Sequence, residues 1–145
     1  MAIFNDMEQE RIREAVAAAE RSTSGEIRIC VEKNCKGVSA LDRAVIYFQK
    51  LGMEKTKLRN GVIIYLAVDD RQFAIIGDAG INKLVPENFW DSTKEAMLSE
   101  FKKGELVQGI INGIKLAGDQ LKKYFPSVAN DVNELSDDIA FGDED

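Results

Sequence analysis

Apolar residues recur along the chain with more than one period. From Asn5 to about Arg21 they fall at helical spacing, with Ile12, Ala15, Val16 and Ala19 on one face. Asn5 followed by Glu8 supplies a capping box, and Ser22-Thr23-Ser24-Gly25 ends the run. Glu26 to Lys33 alternates instead. Ile27, Ile29 and Val31 point one way and Glu26, Arg28, Cys30 and Glu32 the other, which predicts a strand with one face in the core. Ser39, with Asp42 three residues on, opens a second helix carrying Leu41, Ala44, Val45, Phe48 and Leu51 at helical spacing, and Gly52 closes it. Val62 to Val68 is apolar without alternation, the pattern of a central strand covered on both faces. Asp69-Asp70 predicts a tight turn and Gln72 to Ile76 the returning strand.

The remainder reads as helical. Pro86 suits a helix start, and Phe89, Trp90, Thr93, Met97 and Phe101 trace its stripe up to Gly104. Val107, Ile110, Ile111, Ile114, Leu121 and Phe125 trace the last helix, which Pro126 stops. Gly109, Gly113 and Gly118 lie beside that stripe. A glycine inside a helix costs roughly 1 kcal/mol relative to alanine, so these are expected to mark close approach to neighbouring helices. The order α-β-α-β-β-α-α predicts an α/β sandwich. Its first two strands, joined through a helix, are expected to be parallel, and the hairpin makes the third antiparallel, giving a small mixed sheet.

Composition narrows the function. The 145 residues suffice for one domain, read as residues 1–126, followed by an acidic tail at 127–145. Residues 126–145 hold seven acids and no base, whereas the other 125 carry 18 acids against 19 bases. A near-neutral body gives no electrostatic case for nucleic acid. Leu135, Ile139 and Phe141 punctuate the tail, which is expected either to be flexible or to dock, the body offering a basic stretch at Lys50, Lys55, Lys57 and Arg59. There is no histidine, which removes histidine-based catalytic triads and histidine-ligated metals. Cys30 and Cys35 form a lone C-x4-C pair, which is not a zinc pattern. Any metal would be hard and oxygen-bound, Ca2+ or Mg2+. The N-terminal stretch has no signal-peptide pattern, and the longest apolar run is seven residues. The expectation is a cytoplasmic protein without direct membrane insertion.

Candidate chemistry falls at the two ends of the predicted hairpin. Asp69 and Asp70 could hold a divalent cation, with Arg71 contacting phosphate. Parallel strands bind ligands beyond their carboxyl ends, which favours this end. At the other end Asp78, Glu26 and Asn60 form the alternative oxygen-rich set, on three loops expected to converge. Both sets are also ordinary turn residues. Six residues of strand separate the two ends by roughly 20 Å, so they cannot share one ion.

Gly25-Glu26-Ile27 opening a strand, Asn60-Gly61-Val62 opening an apolar strand, and Asp69-Asp70-Arg71 after it together resemble the TPM domain family. Phe101-Lys102-Lys103-Gly104-Glu105 followed by Gly109-Ile110 is similar to that family's Phe-x-x-Gly-Asp/Glu-x-x-x-Gly pattern. Phe89-Trp90 and the closing Tyr124-Phe125-Pro126 resemble a short bacterial subgroup without signal peptide or membrane anchor. Where the family commonly has Gly-Tyr-Gly-Leu-Glu, this chain has Gly77-Asp78-Ala79-Gly80-Ile81-Asn82. The resemblance implies a three-layer α/β/α sandwich with a small mixed sheet. Plant relatives have been assigned acid phosphatase activity, some relatives bind Ca2+, and others act through membrane protein complexes. Two functions are therefore expected as alternatives. One is an interaction module for another protein, membrane-associated or not, tuned by a divalent cation. The other is a metal-dependent acid phosphatase acting on phosphate esters.

Overall fold

Two strands with different patterns are neighbours at the centre of the sheet. The computed structural model describes residues 3–127 and 138–142. Strand β1 (Glu26–Glu32) and strand β2 (Gly61–Ala67) are parallel, with Glu26 opposite Gly61 and Glu32 opposite Ala67. Strand β3 (Gln72–Gly77) returns antiparallel to β2, and the short strand β4 (Ala140–Phe141) lies parallel to β1. The order is β3-β2-β1-β4. The mixed sheet and its parallel central pair are as the element order predicts.

Helix α1 (Asp6–Glu20) begins with the expected capping box between Asn5 and Glu8. Helix α2 (Ala40–Lys50) begins where the Ser39 side chain accepts the Asp42 N–H, and a 3-10 turn follows at Met53–Lys55. After β3 come helices α3 (Ala79–Asn82), α4 (Asp91–Lys102) and α5 (Leu106–Tyr124). One core lies between the sheet and α1, α4 and α5. It takes Ile27, Ile29 and Val31 of β1 and Val62, Ile64 and Leu66 of β2. A second core lies under α2 and takes Cys30, Ile63, Tyr65 and Ala67 with Tyr47, Phe48 and Met53. These are the three layers of an α/β/α sandwich.

The glycines of α5 allow close helix approach. A Cβ on Gly113 would stand 2.5 Å from the Met97 sulfur of α4, and one on Gly118 would stand 2.8 Å from the Ala19 Cβ of α1. One on Gly109 would overlap the Phe101 ring. Among the described residues no helix is long and apolar enough to cross a membrane.

Six local expectations need correction. Strand β1 is buried on both faces, because α2 covers the side that carries Cys30 and Glu32. The hairpin is closed by the four residues 68–71 with Arg71 at φ 55°, not by a two-residue Asp69-Asp70 turn. Helix α4 starts at Asp91, so Glu87 to Trp90 are turns, and α3 replaces what read as a glycine loop. Helix α2 is rolled relative to the expected stripe. Ala40, Ala44, Tyr47 and Phe48 face the sheet, while Leu41 and Val45 remain 56% and 43% exposed. The described end of the tail lies along β1 rather than on the basic stretch: Ile139 is buried, Phe141 stacks edge-on against Phe4, and Arg28 Nε donates to the Asp138 carbonyl. Leu135 lies outside the described residues.

Candidate functional site

The carboxyl ends of β1 and β2 hold a buried ionic network. The last residue of β1, Glu32, is 0% exposed. Arg43, one turn into α2, donates Nε to Glu32 Oε1 at 2.9 Å and a second nitrogen to Oε2 at 2.8 Å. Tyr47, one turn further, donates to Oε2 at 3.1 Å, and Tyr65 of β2 donates to Oε1 at 2.7 Å. The i, i+4 spacing of Arg43 and Tyr47 brings both to one carboxylate. Burial pushes the Glu32 carboxyl up, but hydrogen bonds from Arg43, Tyr65 and Tyr47 and the Arg43 charge outweigh it and hold the group below the usual range. Burial, followed by the Glu32 charge, pushes Tyr47 up to about 12, and burial with the Glu32 hydrogen bond raises Tyr65 further. Both phenols are therefore neutral donors to a fixed anion. Over this network passes the chain after β4. Gly142 N–H donates to the Val31 carbonyl at 3.0 Å, and a Cβ there would overlap both Glu32 Oε2 and the Tyr47 hydroxyl.

Asp69, Asp70 and Arg71 sit at this same end, beyond β2. Asp70 Oδ2 accepts the Cys35 N–H at 2.8 Å, and the Asp69 N–H donates to the Lys33 carbonyl at 2.7 Å. These bonds tie the hairpin loop to the loop leaving β1. Burial pushes the Cys35 thiol up, reinforced by the Asp70 charge, which opposes thiolate formation.

Beside the loop, on the α4–α5 side, lies a cleft of about 510 Å3. It is lined by Leu66, Val68, Leu98, Phe101, Gly104 and Leu106, with Arg71 and Lys102 contributing charge. Gly104, at φ +80°, makes the α4–α5 turn that shapes it. Phe101 is held edge-on to Phe73 with ring centroids 5.1 Å apart. Neither Arg71 nor Lys102 has a carboxylate partner among the described residues.

The second expected set lies at the opposite end of β3. Asp78 is buried and takes both nitrogens of a bidentate Arg59 at 2.8 and 2.9 Å, plus the Ala79 N–H at 2.7 Å. The three loops do converge: Glu26 N–H donates to the Asn60 carbonyl, Asp78 N–H to the Gly61 carbonyl, and Gly80 N–H to the Arg59 carbonyl. Glu26 and Asn60 are both buried there, and the side-chain nitrogen of Asn60 and hydroxyl of Thr56 have no hydrogen-bond partner among the described residues. A Cβ on Gly80 would overlap the Leu58 carbonyl, so this packing requires glycine.

A divalent cation demands a full shell of oxygen donors. Ca2+ takes six to eight oxygens and Mg2+ a strict octahedron. Asp78 is committed to Arg59, one oxygen of Asp70 to Cys35, and Glu32 to Arg43 and two phenols. Among the described residues no three acidic or cysteine side chains gather into a metal-holding cluster. Engaged in this way, Asp78 and Glu32 are not free to ligate a cation as they stand.

Sequence reading did not single out Arg43, Tyr47, Tyr65 or the cleft. The available signal was Val62–Val68. A strand apolar on both faces requires two covering layers, and the second layer also buries the polar side of its parallel neighbour.

A sheet with this order, sandwiched between α2 and the α1–α4–α5 layer, defines a small three-layer α/β domain. The profile of the TPM domain family matches residues 1–120, and the chain belongs to that family. No curated protein sequence matches. Among solved structures, the chain is similar to the BA42 protein of the psychrophilic bacterium Bizionia argentinensis. The identity is 44% over 97% of each chain, with a TM-score of 0.91. The N-terminal domain of a P. gingivalis protein shares the fold at 17% identity and TM-score 0.70, over 86% of this chain and 80% of that one. The N-terminal domain of cg2496 from Corynebacterium glutamicum does so at 16% and 0.65, over 81% and 73%.

Proposed function

We propose that this chain is an interaction module that docks a segment of a partner protein in the carboxyl-end cleft. The observation that carries the reading is the cleft itself: aliphatic and aromatic walls with two cations, Arg71 and Lys102, that no carboxylate of the described chain neutralises. Its complement is a segment bearing carboxylates beside aliphatic side chains. The apolar contacts supply most of the affinity, since exposed ion pairs are each worth about 0–1 kcal/mol and are screened by salt. The cations fix orientation. In this reading Glu32 and Asp70 hold the loops that frame the cleft and take no part in bond breaking.

The test is an amide-resolved titration with a short synthetic peptide alternating glutamate and leucine. The amides of Val68 to Arg71 and of Lys102 to Leu106 should shift together, and Arg71→Glu combined with Lys102→Glu should abolish the response. Shifts confined to the Asp78 end, or unchanged in the double variant, would contradict the assignment.

A further inference from the structure

The amino ends of β1 and β2 carry a surface that the cleft does not use. Three exposed apolar side chains stand there on three separate turns: Leu58 before β2, Leu84 after α3 and Tyr124 at the end of α5. Contacts join these turns around one end of the sheet. Gly80 N–H of α3 donates to the Arg59 carbonyl at 2.8 Å. Gly25, which leads into β1, lies between the Leu121 side chain of α5 and the Asn60 carbonyl. The Tyr124 ring stands edge-on to Phe89, on the turn that follows Leu84, with centroids 5.6 Å apart. Each tip has bases beside it in the chain. Lys57 and Arg59 flank Leu58, Lys83 precedes Leu84, and Lys122-Lys123 precede Tyr124. Arg21, at the end of α1, and Lys55 are exposed at the same end. Asp78 neutralises Arg59, but the other bases have no carboxylate partner among the described residues. The exposed acids here, Glu87, Asp91 and Asp119, are fewer, so this end is positive on a body that is otherwise near neutral.

We infer that this end docks on an anionic lipid surface, with Leu58, Leu84 and Tyr124 entering the interface and the neighbouring bases holding the headgroups. The occupant follows from the pairing of a base with an apolar tip on each turn. A bilayer interface presents anionic headgroups directly above acyl chains, so a leucine and the lysine beside it are both satisfied at one depth. Lysine stems lie along apolar surface while their heads stay with the headgroups, and a tyrosine ring with its polar tip suits the same level. A nucleic-acid backbone would satisfy the lysines and leave both leucines in water. An extended acidic peptide would meet three separate turns rather than one groove. The contact is peripheral, with no element crossing the bilayer. The length of β2, at ~3.3 Å per residue, keeps the carboxyl-end cleft roughly 20 Å away, on the side facing solution. The inference does not rest on the assignment of that cleft.

Co-sedimentation of the full chain with vesicles tests this. The chain should bind mixed phosphatidylcholine–phosphatidylserine vesicles and not pure phosphatidylcholine, and binding should weaken as salt rises. Lys57→Glu, Lys83→Glu and Lys123→Glu together should weaken it at least about tenfold, since each base near an anionic bilayer contributes severalfold. Leu58→Ser with Leu84→Ser should weaken it at unchanged charge, which adsorption by charge alone would not do. All five positions are exposed, and an unchanged amide spectrum verifies the fold of each variant. In anionic bicelles containing a spin-labelled lipid, the amide signals of Leu58, Leu84 and Tyr124 should be bleached while those of Arg71 and Gly104 persist. The inference is overturned if the chain stays in solution beside anionic vesicles at low salt, if either set of variants binds like the parent, or if bleaching centres on the carboxyl end. It is equally overturned if the chain binds DNA or polyglutamate but no vesicle. Vesicle binding that appears only in Asp131→Asn/Glu134→Gln/Asp137→Asn would also overturn it, by giving the basic end to the chain's own acids.

Discussion

Two arginine–carboxylate pairs stand at opposite ends of the sheet, with nearly the same geometry and different surroundings. Glu32–Arg43 is sealed: the carboxylate is fully buried, two phenols complete its hydrogen bonds, and Gly142 closes over it. Asp78–Arg59 is half open, with its arginine side chain 48% exposed. Identical bidentate contacts therefore have different consequences. A sealed pair cannot lose one member without stranding the other in a low-dielectric interior, whereas water replaces an exposed guanidinium. The sealed pair fixes the framework on which the cleft is built, and the open pair pins a glycine-rich loop.

The comparison breaks most sharply on the arginines. Arg43→Ala should destabilise the domain by roughly 3–5 kcal/mol, because Glu32 is left buried and unpaired. Arg59→Ala should move the denaturation midpoint far less. Equal midpoint shifts in urea would erase the distinction. Next in size is the cover over the sealed pair. Gly142→Val should cost about 1–3 kcal/mol, since its side chain must displace Glu32 or Tyr47 or lift the segment off β1. A variant as stable as the parent, with unshifted Tyr47 ring signals, would show that the segment does not bear on the network.

Acid sharpens the same contrast. Glu32 titrates lower in the folded than in the unfolded chain. Its stabilisation is therefore complete above the ordinary glutamate range near about 4.3 and is lost as pH falls through its depressed folded value. Glu32→Gln removes this contribution, so the stability gap between parent and variant should narrow on going from neutral to strongly acidic solution. A gap that stays constant or widens would contradict a depressed Glu32.

How much of this was legible in the sequence depends on distance along the chain. Signals carried within one element read correctly: the Asn5–Glu8 and Ser39–Asp42 caps, the doubly apolar β2, and the glycines that let α5 approach α1 and α4. Properties set by a second layer did not. The roll of α2 follows from Tyr47 reaching Glu32, a partner fifteen residues away, so the periodic stripe through Leu41 and Val45 misplaced the buried face. Likewise Asp70 and Asp78 stood out as acids beside turns, yet one oxygen of Asp70 is taken by Cys35 and both of Asp78 by Arg59, pairings invisible to local pattern. The cleft joins residues of β2, the hairpin loop and the α4–α5 turn, and only the fold assembles them.

The central claim is that the carboxylates at the carboxyl end hold structure and that the domain works through its cleft. The most direct measurement is hydrolysis of a chromogenic phosphate ester by the purified chain in Ca2+, in Mg2+ and in EDTA, alongside Asp70→Asn. The account predicts the same background rate in every case, with Asp70→Asn affecting only the order of the loop bonded to Cys35. Turnover that persists through purification, depends on the divalent cation and disappears in Asp70→Asn, with the fold retained, would contradict it.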